Sequence, residues 1–139
     1  MLREAIDRSY RIVEEDEKAA AEEELLSLDR LKQAAEEAPV IRLVDLVVRS
    51  AIKQRASDIH VEPFKDTVKL RYRIDGVLYE IPPPAKALSA AIVSRIKILC
   101  KLDIAQKRLP QDGAFAMVMD DESIDFRVST LPTLYGEKV

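Results

Sequence analysis

The sequence is poor in glycine, cysteine and histidine, and each shortage excludes a class of chemistry. Of its 139 residues only Gly76, Gly113 and Gly136 are glycine, and they stand far apart. Neither a P-loop (G-x-x-x-x-G-K-[ST]) nor a dinucleotide fingerprint (G-x-G-x-x-G) can be written anywhere in the chain. A single cysteine, Cys100, cannot close an internal disulfide or build a multi-cysteine zinc site, and the single histidine, His60, cannot complete a histidine-rich metal centre. This composition suits a reducing compartment. No apolar run approaches the roughly 20 residues of a membrane span, and the opening MLREAIDRSYR lacks the apolar core of a secretory signal. The expectation is a soluble, cytoplasmic chain with no membrane span. Its length suits one domain with a core of its own.

The formal net charge is −3, but it is unevenly spread. Residues 1–38 carry twelve acidic and six basic side chains, whereas residues 39–139 carry thirteen and sixteen. The first segment has no Gly or Pro and is rich in Ala, Glu, Leu, Lys and Arg, which favour helix because they lose little rotamer freedom there. Its apolar residues are interrupted by Glu14-Glu15-Asp16-Glu17, so no heptad is sustained. Residues 1–38 therefore read as a helical linker arm, and residues 39–139 as the domain.

Pro39 opens the next helix, where its missing N–H costs nothing, and Val40, Leu43, Val44, Val47, Val48, Ala51 and Ile52 recur on one face. After Ala56 the period changes to two. Ile59 and Val61 alternate with Asp58, His60 and Glu62; Val68, Leu70, Tyr72 and Ile74 alternate with Lys69, Arg71 and Arg73. Asp75-Gly76 suits a two-residue type I′ hairpin that pairs Ile74 with Val77, Tyr72 with Tyr79 and Leu70 with Ile81. Pro82-Pro83-Pro84 ends that strand. A further helix carries Leu88, Ala91, Ile92, Ile96 and Leu99 on its apolar stripe, with Lys97 and Lys101 on other faces. A polar loop from about Leu102 to Gly113 follows, then strands at Phe115–Met119 and Ser123–Ser129 around the turn Asp120-Asp121-Glu122. This order predicts an α+β domain, an antiparallel sheet with helices on one face.

Three constellations bear on chemistry. Asp58, His60 and Glu62 at spacing two could offer carboxylates and an imidazole to a metal or a substrate. The facing row Lys69, Arg71 and Arg73 favours a structural reading as cross-strand ion pairs, and no further ligand cluster supports a metal. Those same cations make a poor nucleic-acid surface, since the whole chain is acidic and its aromatic residues form no stacking platform. Cys100 ends an apolar stripe and reads as a small hydrophobe. The informative cluster is basic: Lys107-Arg108 in the loop and Arg127 on the last strand beside Ser129 and Thr130. Arginine presents a planar fork matched to phosphate oxygens.

Five motifs in order carry a resemblance: ASDIHVEP at 56–63, RIDGVL at 73–78, SRIK at 94–97, KRLPQDG at 107–113 and DFRVSTLP at 125–132. Together they resemble the domain directly preceding the motor in the ATPases of type II secretion and type IV pilus assembly. The resemblance implies a PAS-like fold, and a parent forming a homo-hexamer on the cytoplasmic face of the inner membrane, beside platform proteins. It implies ATP and Mg2+ on a motor domain that this chain lacks, so the fragment alone binds neither and is inactive. It assigns Arg127 to the nucleotide phosphates, and Asp58, His60 and Glu62 to an edge facing the motor domain or a neighbouring subunit. Where the family commonly has Gln-Asp-Gly-Arg, this chain has Gln111-Asp112-Gly113-Ala114. Either that phosphate contact is missing or Arg108 or a motor residue replaces it; for Arg108 the alternative is an ion pair with Asp112. The competing reading of the chain is a free-standing PAS-like signalling or docking module.

Overall fold

A computed structural model describes residues 28–33 and 35–139. The helical linker expected over residues 1–38 falls largely outside the described residues. The compact unit that carries the candidate residues is Leu31–Val139.

Helix α1 (Ala38–Lys53) begins with proline in its first turn and buries Val40, Val44, Val48 and Ala51, spaced four, four and three residues apart. Three antiparallel strands follow: β1 (Asp58–Pro63), β2 (Val68–Ile74) and β3 (Val77–Ile81), in spatial order β1-β2-β3. The β2–β3 register is the one the hairpin predicts, with Ile74 opposite Val77, Tyr72 opposite Tyr79 and Leu70 opposite Ile81. Asp75 and Gly76 have φ of 50° and 82°, as a type I′ turn requires. A 3-10 turn leads into α2 (Ser89–Leu99), after which β4 (Gln111–Met119), β5 (Glu122–Thr133) and β6 (Gly136–Lys138) form a second antiparallel group in the order β4-β5-β6.

The fold is α+β, with its strands in two three-stranded sheets that meet at one point. Val61 donates its N–H to the Val139 carbonyl at 2.8 Å, and Val139 donates back to the Val61 carbonyl at 2.9 Å. Helix α1 packs on both sheets. Ala51 sits with Val61, Val68, Leu70 and Tyr72, while Val40, Val44 and Val48 sit with Ala91 and Ile92 of α2 and touch Met117 and Phe126. Tyr72 is 1% exposed and donates its hydroxyl to the Val47 carbonyl at 2.7 Å, which ties β2 to the middle of α1. Each buried valine or leucine in these clusters contributes about 1.5–3 kcal/mol.

Three expectations are refined. Strand β4 starts at Gln111 instead of Phe115, because the Gln111 side chain organises the loop before it. Its Oε1 accepts from the Asp103 N–H at 3.0 Å and its Nε2 donates to the Asp103 carbonyl at 2.8 Å. The β4–β5 turn is two residues long, Asp120 and Asp121 both having positive φ, and Glu122 already belongs to β5. Lys97, expected away from the packed face of its helix, is buried. Its ammonium is 2.7 Å from Glu137 Oε1 and donates to the Gln106 carbonyl at 2.7 Å, which is what makes burial of the charge tolerable.

Candidate functional site

Period-two alternation along β5 puts Ile124, Phe126, Val128 and Thr130 inward and Asp125, Arg127 and Ser129 outward. The inward row is fixed by packing. Phe126 stacks on Phe115, its direct partner on β4, with ring centroids 4.7 Å apart and planes 9° from parallel. A one-residue slip of β5 would turn Arg127 inward and expose Phe126, breaking its stack on Phe115, so the position of Arg127 is strongly specified. Its guanidinium is solvent-exposed, and among the described residues it has no ion-pair partner. Directly opposite it on β4 stands Ala114, and opposite Ser129 stands Asp112.

A cavity of about 580 Å³ separates β5 from β1. Its floor is apolar, formed by residues such as Val44, Val48 and Ile92 of the helices and Ile59 and Phe126 of the strands; Asp58, His60, Arg127 and Ser129 also line it. Three of the five candidate residues, Asp58, His60 and Arg127, thus border one space. Glu62 and Arg108 do not line it. Arg108 lies exposed in the loop before β4, its backbone N–H held by the Gln106 side chain at 2.9 Å. The proposed ion pair between Arg108 and Asp112 is not formed among the described residues; Asp112 accepts instead from the Ser129 hydroxyl at 2.8 Å.

The acidic row on β1 behaves structurally. Asp58 faces Arg73, His60 faces Arg71 and Glu62 faces Lys69 in the β1–β2 register. The Arg73 Nε–Asp58 Oδ2 distance is 3.0 Å; Arg71 spans Glu62 at 3.7 Å and Glu80 at 3.8 Å, and Lys69 reaches Glu80 at 3.5 Å. Every cation of the basic row has a carboxylate, which removes the free positive surface a nucleic acid would need. His60 Nε2 is buried without a hydrogen-bond partner and lies 3.8 Å from Asp58 Oδ2. Among the described residues no group of three or more His, Cys, Asp or Glu is placed to hold a metal ion. Burial pushes the Cys100 thiol above its ordinary pKa, which leaves it a poor nucleophile.

Sequence reasoning missed the buried pair of Lys97 with Glu137. Lysine in a mixed helix reads as a surface residue, and its partner is forty positions away on a three-residue strand. No described helix is long and apolar enough to cross a membrane.

The fold and site define an α+β domain that offers one unpaired arginine on the open face of a rigid sheet, next to a half-apolar cavity, and that has no phosphate loop of its own. Comparison with known proteins gives the family. The family described as "Type II/IV secretion system protein" matches residues 33–139. The chain is 47% identical to the type IV pilus assembly ATPase PilB of Myxococcus xanthus, over 99% of this chain and 26% of that protein. It is 54% identical to the type II secretion system protein E of Xanthomonas campestris pv. campestris, over 81% of this chain and 20% of that protein. A putative type II secretion system protein E of Escherichia coli is 47% identical over 96% of this chain and 26% of its own length. The chain belongs to the type II/IV secretion system protein family, and it spans about a quarter or less of the length of these relatives.

Proposed function

We propose that this chain is the PAS-like domain directly preceding the motor domain of an ATPase that powers type IV pilus extension or type II protein secretion. In this reading residues 1–38 link it to an earlier N-terminal domain, and residues 39–139 dock on their own motor domain and on neighbouring subunits of a homo-hexamer. The ring works at the cytoplasmic face of the inner membrane, against platform proteins. Asp58, His60 and Glu62 then form part of the edge turned toward the motor or the next subunit.

The observation that carries the reading is Arg127. It is exposed, free of a carboxylate among the described residues, and mounted on a strand whose register is locked by stacked phenylalanines. A guanidinium held in this way is preorganised for phosphate oxygens and senses whether a terminal phosphate is present. Bound on the motor domain, ATP with Mg2+ supplies the hydrolytic chemistry; this chain supplies a cation from outside, and Arg108 is a second one.

The test joins this chain to its motor domain and compares ATP turnover with Arg127→Ala and Arg108→Ala. Arg127→Ala is expected to lower turnover by about 100-fold or more, while an exposed-site change of this kind shifts stability by only about 0.5 kcal/mol. Normal turnover in Arg127→Ala would overturn the arginine assignment. A gene with no downstream motor would favour the free-standing signalling or docking module.

A further inference from the structure

Strand β3 lies at the edge of its sheet, bonded to β2 and, among the described residues, to no other strand. Such an edge is normally blunted by a lysine, a proline or a bulge. Val77–Ile81 contains none of these, and its one charge, Glu80, is already held by Lys69 at 3.5 Å and Arg71 at 3.8 Å. Instead Val77, Leu78 and Tyr79, three large apolar side chains in a row, are 53%, 43% and 50% exposed. Cross-strand partners share a face, so Val77 and Tyr79 lie on the same face as Ile74 and Tyr72, the one that packs against α1. The cluster under α1 gathers Val61, Leu70 and Tyr72 and reaches Ile74 and Ile81, but it includes neither Val77 nor Tyr79. The inner apolar face therefore runs on, uncovered, over the edge strand.

The backbone phase says which groups are free. The Arg73 carbonyl accepts from the Ser57 N–H at 2.8 Å, so Arg73 turns its main-chain groups toward β1, and its neighbours Tyr72 and Ile74 turn theirs toward β3. Their partners Tyr79 and Val77 bond back, which leaves the N–H and C=O of Leu78 and Glu80 aimed away from β2. Donors and acceptors at that spacing are a template for one more antiparallel strand. A second β3 satisfies it in one register. With a two-fold axis at Tyr79, Leu78 exchanges both bonds with Glu80 of the second copy, and Glu80 does the same with its Leu78. On the inner face Tyr79 then stands opposite Tyr79 and Val77 opposite Ile81, so the apolar groups now in water cover one another. On the outer face each Glu80 lies between its own Arg71 and the other copy's Leu78, so no like charges meet. An axis at Glu80 would set two carboxylates opposite each other and Leu78 opposite Pro82, which has no N–H to give. An axis at Leu78 would set Glu80 opposite Gly76, where the chain has already turned out of the strand.

We propose that β3 is a self-pairing edge and that its partner is a second copy of this chain, joined antiparallel about a two-fold axis at Tyr79. The two sheets become one, running β1-β2-β3 in one copy and β3-β2-β1 in the other. Strand β3 has five residues, few against the roughly 20–30 a side of a standard interface, so the pair is transient, with a Kd on the order of 0.1 mM. A two-fold contact closes on itself and does not propagate round a ring. The inference is therefore separate from the ring contacts and the phosphate contact proposed above, and does not rest on them.

The experiment is sedimentation velocity of the 139-residue chain from about 10 µM to about 1 mM, where the mean mass is expected to rise from 15.7 kDa toward twice that value. Tyr79→Lys and Tyr79→Glu each set like charges opposite each other across the axis and should weaken pairing by about 10-fold or more. An equimolar mixture of the two variants should recover it, because lysine then meets glutamate. Tyr79 is half exposed, so these changes spare the core. Leu78→Pro is a second arm: it removes an edge N–H that β2 does not use, and should abolish pairing while the amide resonances of β2 stay in place. A wild-type chain that is still monomeric at about 1 mM overturns the proposal. So does a dimer that all three single variants leave intact, since the contact then lies elsewhere. A mixture that pairs no better than its two components also overturns it, since Tyr79 then does not meet Tyr79.

Discussion

Lys97 is 1% exposed and Glu137 8%, and their contact is the only ion pair among the described residues with both partners buried. The pair fastens α2 to β6, while the second Lys97 bond, to the Gln106 carbonyl, holds the loop before β4. Lys97→Met keeps most of the aliphatic stem and removes the cation. Glu137 is then left buried with no counter-charge, its Oε2 already lacking a partner, and the Gln106 carbonyl loses its donor. Breaking a buried pair from one side costs about 3–5 kcal/mol, whereas replacing both charges by apolar groups is close to neutral or stabilising. With a urea m-value of about 1.5 kcal/mol/M, Lys97→Met should lower the unfolding midpoint by about 2–3 M. The double variant Lys97→Met with Glu137→Met should recover most of that loss, a coupling of several kcal/mol between neighbouring sites. The assay is equilibrium urea unfolding of the four proteins of the cycle. A cost below about 1 kcal/mol for Lys97→Met, or additive single effects, would refute the reasoning, since it would mean that the pair is solvated and does not hold the strand.

Gly113 owes its place to close approach and not to an unusual turn: an added Cβ would lie 2.9 Å from Cys100 Cβ and 3.0 Å from Leu102 Cδ2. Gly113→Ala should cost about 1–3 kcal/mol by overpacking, read as a lower thermal midpoint. Tyr72→Phe loses the bond to Val47 and should cost about 1 kcal/mol near neutral pH. Burial raises the Tyr72 pKa, with a smaller opposing effect from Ser50, so above the ordinary tyrosine value of about 10 the unfolded chain releases its proton first. The stability supplied by the neutral phenol is full below that value and is lost as pH rises toward the raised one; wild type should lose stability over this range more steeply than Tyr72→Phe. Parallel pH profiles for the two proteins would contradict this.

What was legible in the sequence follows the strength of local signals. The Asp75-Gly76 turn states its own type, and one turn then fixes the register of ten flanking residues, so the sequence alone pairs β2 with β3. The acidic row on β1 and the basic row on β2 were readable as partners for the same reason. Strand β6 was not. It is three residues long, it follows a turn whose residues carry no positive-φ signal, and Pro132 on the strand opposite argues against pairing. The register explains the proline. Its missing N–H points toward β4, which begins at Gln111 opposite Thr130, so no ladder bond is lost. The burial of Lys97 was equally hidden, because it depends on that strand and on a partner that only the fold brings near.

The same register bears on the departure from the family pattern at position 114. Position 114 is the direct cross-strand neighbour of Arg127 on the same exposed face. An arginine there would put two like charges opposite each other, an arrangement that costs about 0.2–1 kcal/mol unless an anion lies between them. Alanine removes that repulsion and leaves Arg127 with Asp125 and Ser129 as its neighbours along the strand. Arg108 sits in the loop before β4 and does not border the cavity that Arg127 lines, so a phosphate contact from it would come from outside this face. A phosphate approaching this face from a motor domain would therefore meet one guanidinium on β5. The sheet would contribute a single fixed cation, with any second one coming from outside the β4–β5 face.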